Sequence, residues 1–152
     1  TKAFHTALRR LMALLAHTGV TPEQWLHSMT VLIYKKDDPT LLDNYRPIAL
    51  ASVLYKLWTG IITDVASFYL EDNKILHSAQ EGFRRRRSCA RAILHLRLAV
   101  EHAHKTGRDI FLTYMDFKGA YPSVSHTQLV RIMRFLGLPK DFITVVDIDF
   151  KE

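Results

Sequence analysis

Three stretches of the chain carry residue types that can do chemistry. The first runs from Phe111 to Val124 and holds Asp116, Phe117, Lys118, Gly119, Ala120 and Tyr121. There an apolar run ends in one carboxylate, Asp116. A charge at the end of a covered strand is costly unless something pairs with it. A lysine or arginine can neutralise it, and so can a hard divalent cation such as Mg²⁺. A turn-forming or salt-bridged aspartate answers the same pattern.

The second stretch is Asp43-Asn44-Tyr45-Arg46-Pro47-Ile48-Ala49-Leu50. Proline after Arg46 biases that arginine to extended backbone. Its planar guanidinium suits phosphate, and Lys35 and Lys36 lie just upstream. A bare Asp43–Arg46 pair is the simpler alternative. The third stretch is Gln80-Glu81-Gly82-Phe83-Arg84-Arg85-Arg86-Arg87-Ser88. Four arginines run into a helix start, where partial positive charge already sits. An anion held there would offset the cost. Phe83 can stack on a base or ribose, or plug a core.

The elements that must position these residues are legible. Residues 3–17 read as a helix, with Phe4, Leu8, Leu11 and Leu15 on one face and Gly19 as its stop. Thr21 and Pro22 open a short helix carrying Trp25. Residues 30–34 and 46–52 read as two strands that can pair as a hairpin. Residues 53–70 read as a helix with Leu54, Leu57, Ile61, Val65 and Phe68 on one face. Residues 88–105 read as another, with Cys89, Ala92, Ile93, Leu96, Val100 and Ala103 turned inward and Arg87, Arg91, His95 and His102 near the opposite face. Residues 109–116 read as a strand covered on both faces. Ser125 starts a helix, and residues 139–146 form a further one. The pattern is α+β, mostly helical with a small β-sheet.

Composition bounds the rest. The chain has 152 residues, 48% hydrophobic and 24% charged, ordinary values for one globular domain. Disordered, collagenous and low-complexity classes are excluded. One cysteine, Cys89, allows no intrachain disulfide. No apolar run reaches the roughly 20 residues that span a bilayer, so a soluble, intracellular protein is expected. The net charge is +6. Residues 84–108 hold eight basic groups and one acid, so the excess is concentrated there. That is the footprint of a polyanionic partner, nucleic acid being the commonest. A solvated helix face with unpaired arginines is the plainer reading.

Taken in order, the three motifs resemble the first half of a reverse transcriptase, closest to the non-LTR retrotransposon type. The resemblance covers about residues 25–145 and rests on Lys35-Lys36 through Asn44-Tyr45-Arg46-Pro47-Ile48, on Gln80-Glu81-Gly82-Phe83-Arg84 with Arg87-Ser88, and on Asp116 through Tyr121 with Val124 and His126. It implies the fingers and incomplete palm of a right-hand polymerase. Residues 1–108 would be fingers-like, and residues 109–152 would begin the palm. Asp116 would be the first catalytic, Mg²⁺-binding aspartate, with the Phe117 carbonyl as a further ligand. Tyr121 would lie under the incoming sugar and reject a 2′-hydroxyl by bulk. Arg46, with Lys35 or Lys36, would hold the triphosphate of a dNTP. Gly82, Phe83, Arg84 and Arg87 would bind the template, with Arg85, Arg86, Arg91 and Lys56 as further contacts. The implied partners are an RNA template and an RNA–DNA hybrid, in the nucleus or cytoplasm and not at a membrane.

The departures matter too. Two further aspartates expected of the family are not found. Asp147 and Asp149 alternate as on a strand but follow Asp116 too closely. The chain is therefore expected to be a fragment and inactive alone. The alternatives are a catalytically dead module that binds RNA or RNA–DNA hybrid, or a structural protein derived from a polymerase. Relatives often carry Pro-Gly where Arg85-Arg86 stand, which bears on the loop's shape, and an acid where Pro122 stands.

Overall fold

A computed structural model describes residues 1–117 and 119–149. The elements run α1 (Lys2–Thr18), α2 (Glu23–Leu26), β1 (Ser28–Tyr34), β2 (Tyr45–Ala51), α3 (Val53–Asp72), α4 (Cys89–Thr106), α5 (His126–Phe135) and α6 (Lys140–Asp149). A single 3₁₀ turn, Leu42–Asn44, precedes β2. Mixed helix and a two-stranded sheet make the expected α+β class. Two units can be distinguished: residues 1–66 with 126–152, and residues 67–125.

In the first unit, α1 ends at Gly19, whose φ of 70° is a left-handed conformation that favours glycine. Its N–H donates to the Leu15 carbonyl at 2.8 Å. A Cβ there would also lie 2.9 Å from Ile148 Cδ1 on α6, so the stop is a packing point as well. Met12 and Leu15 of α1, Trp25 of α2 and Trp58 of α3 form the core, with Leu8, Leu11, Tyr55, Ile62 and Val145 against it. Val130 and Met133 of α5, with Leu138, Ile143 and Val146, are also buried. α2 takes Pro22 as its N-cap, a residue with no side-chain acceptor to offer.

β1 and β2 pair antiparallel, with Val31 opposite Ile48, Ile33 opposite Arg46 and Tyr34 opposite Tyr45. The Lys35 N–H donates to the Asn44 carbonyl at 2.8 Å, which carries the ladder one step beyond the strands. Asp38 fastens the connecting loop, accepting from the Thr40 N–H at 2.8 Å and the Thr40 hydroxyl at 2.7 Å. Those two bonds hold its carboxyl below the usual carboxylate range.

In the second unit, Ser88 caps α4, its hydroxyl accepting from the Arg91 N–H, and Gly107 ends that helix at φ 65°. Two expectations fail here. Residues 109–116 form no strand, and most of their side chains are exposed, Phe111 at 92% and Met115 at 85%. A strand needs a neighbour to satisfy its backbone groups, and no described strand lies beside this segment. The inward stripe of α4 is not buried either: Cys89, Ala92, Ile93 and Val100 are exposed, Leu96 is half-buried and Ala103 is buried. An amphipathic helix buries its stripe only against another layer.

Asp147 and Asp149 fall within α6 rather than on a strand. A spacing of two shares a face on a strand and separates residues on a helix. Residues 150–152 lie outside the described residues.

Candidate polymerase site

The hairpin tip collects the second motif's cations. β-pairing sets Arg46 opposite Ile33, and side chains two apart share a face. Arg46 and Lys35 therefore lie on one face at the tip, with Lys36 in the turn beyond. All three are exposed. The Lys35 ammonium donates to the Asp43 carbonyl at 3.3 Å. Arg46 forms no ion pair with Asp43 or any other described residue, so the simpler pairing is not the one adopted. Lys56 is exposed on the first turns of α3.

The arginine run divides two and two. Arg84 turns inward: its Nε and Nη2 each donate to a Glu71 carboxylate oxygen at 2.6 Å, a two-point ion pair. Its Nη1 donates to the His77 and Gln80 carbonyls at 2.9 and 3.3 Å. The Arg84 hydrogen bond holds the Glu71 carboxyl below its ordinary value, against the opposing effect of desolvation. The same bond raises the Arg84 guanidinium.

Arg87 turns inward as well. Its Nη1 donates to Glu81 Oε1 at 2.9 Å and to the Ser78 carbonyl at 3.3 Å. The Glu81 side chain is only 7% exposed, and the same oxygen lies 3.3 Å from Arg91 Nε and 3.9 Å from His95 Nδ1. A carboxylate that deep is expected to be paired. Arg85 and Arg86, between the two, face solvent. Arg86 sits at φ 60°, the conformation that a glycine would supply more cheaply.

Sequence reading missed Glu71 and Glu81. Counting charge from Arg84 onward left both acids outside the count, although each pairs with a base inside it. The signal was Glu81, an acid three residues before the run.

Asp116 is exposed, and its side chain makes no ion pair or hydrogen bond with a described residue. Gly119 to Val124 fold into turns: the Ser123 N–H donates to the Gly119 carbonyl at 3.0 Å and the Val124 N–H to the Tyr121 carbonyl at 3.2 Å. Phe83 and Tyr121 meet edge to face, ring centroids 6.5 Å apart and planes at 85°. That contact joins the third motif to the first. Gly82 lies in the same loop, its carbonyl accepting from Gln80 Nε2 at 3.3 Å.

A Mg²⁺ ion takes oxygen ligands, often one or two carboxylates with water and substrate phosphates. Asp116 is a fitting donor of that kind, and the Phe117 carbonyl adjoins it. Among the described residues no three His, Cys, Asp or Glu side chains come together as a metal cluster. The described residues therefore supply part of a ligand set and no closed cage. No described helix is long and apolar enough to cross a membrane.

Comparison with known proteins agrees with the motifs. Residues 33–151 match the family model described as reverse transcriptase (RNA-dependent DNA polymerase). The chain is 28% identical over 137 residues to the retrovirus-related Pol polyprotein from type-2 retrotransposable element R2DM of Drosophila melanogaster, covering 90% of this chain and 13% of that protein. It is 28% identical over 110 residues to the probable RNA-directed DNA polymerase from transposon BS of the same species, covering 72% of this chain and 12% of that protein. It is 28% identical over 120 residues to the retrovirus-related Pol polyprotein from type-1 retrotransposable element R2 of Popillia japonica, covering 79% and 16%. The chain spans less than a fifth of the length of each of these relatives. With most of its length matched, the chain belongs to the reverse transcriptase family.

Proposed function

We propose that the chain supplies the fingers, residues 1–108, and the beginning of the palm, from residue 109, of an RNA-directed DNA polymerase that acts within a longer protein. One observation carries the reading. Asp116 is an exposed carboxylate with no ion pair to a described residue, on the same unit as Tyr121 and the arginine loop.

Asp116 and the Phe117 carbonyl would hold Mg²⁺, which in a two-metal site stabilises charge on the attacking and leaving oxygens of the phosphoryl group. One aspartate cannot hold two such ions, so further carboxylates must come from elsewhere in the complete protein. Arg46, Lys35 and Lys36 steady the triphosphate of the dNTP by charge. The Tyr121 ring takes the space that a ribose 2′-hydroxyl would need. Arg85 and Arg86 meet template phosphates, while Gly82 and Phe83 shape the loop that meets the strand. Arg84 and Arg87 keep that loop in place through Glu71 and Glu81. Arg91 and Lys56 are further backbone contacts.

The test is primer extension on an RNA template by the full-length protein. Asp116→Asn should abolish dNTP addition while RNA binding persists. Near-wild-type synthesis would refute the role of Asp116. If the wild-type full-length protein binds RNA–DNA hybrid and never extends a primer, the binding-module reading replaces the polymerase one.

A further inference from the structure

The geometry points to Phe83 as the positioning residue for Tyr121, and so as a determinant of which sugar the polymerase accepts. The inference rests on the reading that Tyr121 lies under the incoming sugar.

Tyr121 is 76% exposed. The hydrogen bonds of its loop are made by backbone groups and Ser123, whose hydroxyl donates to the Ala120 carbonyl at 2.8 Å. They fix the chain, and they leave the phenol ring free to turn about its own side-chain bonds. A ring that rejects a hydroxyl by bulk must stay where the hydroxyl would go. Among the described residues the ring it meets is Phe83, edge to face at 6.5 Å. Such pairs prefer this arrangement over a face-to-face stack.

Phe83 is itself held unusually. It is 91% exposed, so its ring fills no core. Its backbone sits at φ 58°, a left-handed conformation that is a genuine outlier for a bulky residue. Glycine would adopt that backbone at less cost. The next residue, Arg84, is pinned by its two-point bond to Glu71 and by the His77 and Gln80 carbonyls. An exposed ring on a strained, anchored backbone, with Tyr121 as its ring partner, is explained by what it does to Tyr121.

The experiment is single-nucleotide insertion by the full-length polymerase on an RNA template, comparing kcat/KM for a dNTP with that for the matching rNTP. Tyr121→Ala should collapse the preference for the dNTP. Phe83→Ala should lower it about three- to tenfold, the range set by one edge-to-face aromatic contact. Phe83→Tyr, which keeps the ring, should retain it. Adding Phe83→Ala to Tyr121→Ala should change nothing more. Phe83→Gly separates ring from backbone: it should lose the preference as Phe83→Ala does while its Tm holds or rises.

If Tyr121→Ala admits ribonucleotides but Phe83→Ala and Phe83→Gly keep the wild-type preference, positioning by Phe83 is wrong and the role of Tyr121 stands. Effects that multiply in the double variant would overturn positioning by Phe83 in the same way. A Phe83→Ala protein that binds template more weakly at unchanged sugar preference would make Phe83 a template contact only. If Tyr121→Ala leaves the preference intact, the reading of Tyr121 falls and the inference falls with it.

Discussion

Arg84 and Glu71 form a two-point ion pair, both N–O distances 2.6 Å, that ties the loop before α4 back to the last turn of α3. Thirteen residues separate them. The pair closes the segment that carries Gly82 and Phe83, so Arg84 holds that loop to the helix before it.

The pair makes stability depend on acid. Glu71 has a lowered carboxyl in the fold. Its contribution is present above the unfolded carboxylate value of about 4.3 and is lost as pH falls through the lowered folded value. Tm measured against pH should therefore show wild type above Glu71→Gln near neutrality, with the two curves converging below about pH 4. A gap that persists in acid would mean that the glutamine acts through something other than the charge.

Arg86 separates charge from backbone. Removing its guanidinium should flatten the dependence of RNA affinity on salt by about 0.7 in the log–log slope for a single strand, if it meets one phosphate. Arg86→Ala and Arg86→Gly should share that loss. Only the glycine variant relieves the φ of 60°, a strain of roughly 1–2 kcal/mol, and it should melt higher than the alanine one. Arg84→Ala, by contrast, should lower Tm, because it frees Glu71 and two carbonyls.

At the candidate polymerase site, Asp116→Asn changes an exposed side chain with no described ion partner. Its Tm should match wild type while synthesis by the full-length protein stops. A large drop in Tm would instead give Asp116 a part in holding the fold.

Trp58 tests the core. It is 3% exposed, and its Nε1–H finds no acceptor among the described residues. Trp58→Ala should cost about 3–5 kcal/mol in urea unfolding. Trp58→Phe gives up volume but also removes an unsatisfied buried donor, a penalty of about 1–3 kcal/mol. It should therefore lie far closer to wild type than to the alanine variant.

Much was set by the order of residues alone. The spacing of Leu8, Leu11 and Leu15 with Gly19 behind them, the Ser88 cap, the Gly107 stop and the β-branched runs either side of residues 35–44 all act within a few residues, so helix ends and hairpin can be read locally. The three motifs and the family they belong to were legible for the same reason, being strings of neighbouring letters. Residues 109–116 show the limit. Their apolar run asks for a strand, but a strand exists only when another backbone accepts its hydrogen bonds, and that partner is not encoded in the run. The arginines show it again. Four identical side chains follow one another, and nothing in their order says that Arg84 and Arg87 turn in toward Glu71 and Glu81 while Arg85 and Arg86 turn out. Left-handed turns at Phe83 and Arg86, and the path that returns the loop to the end of α3, decide which arginines reach Glu71 and Glu81, because ion pairing depends on distance through space and not along the chain.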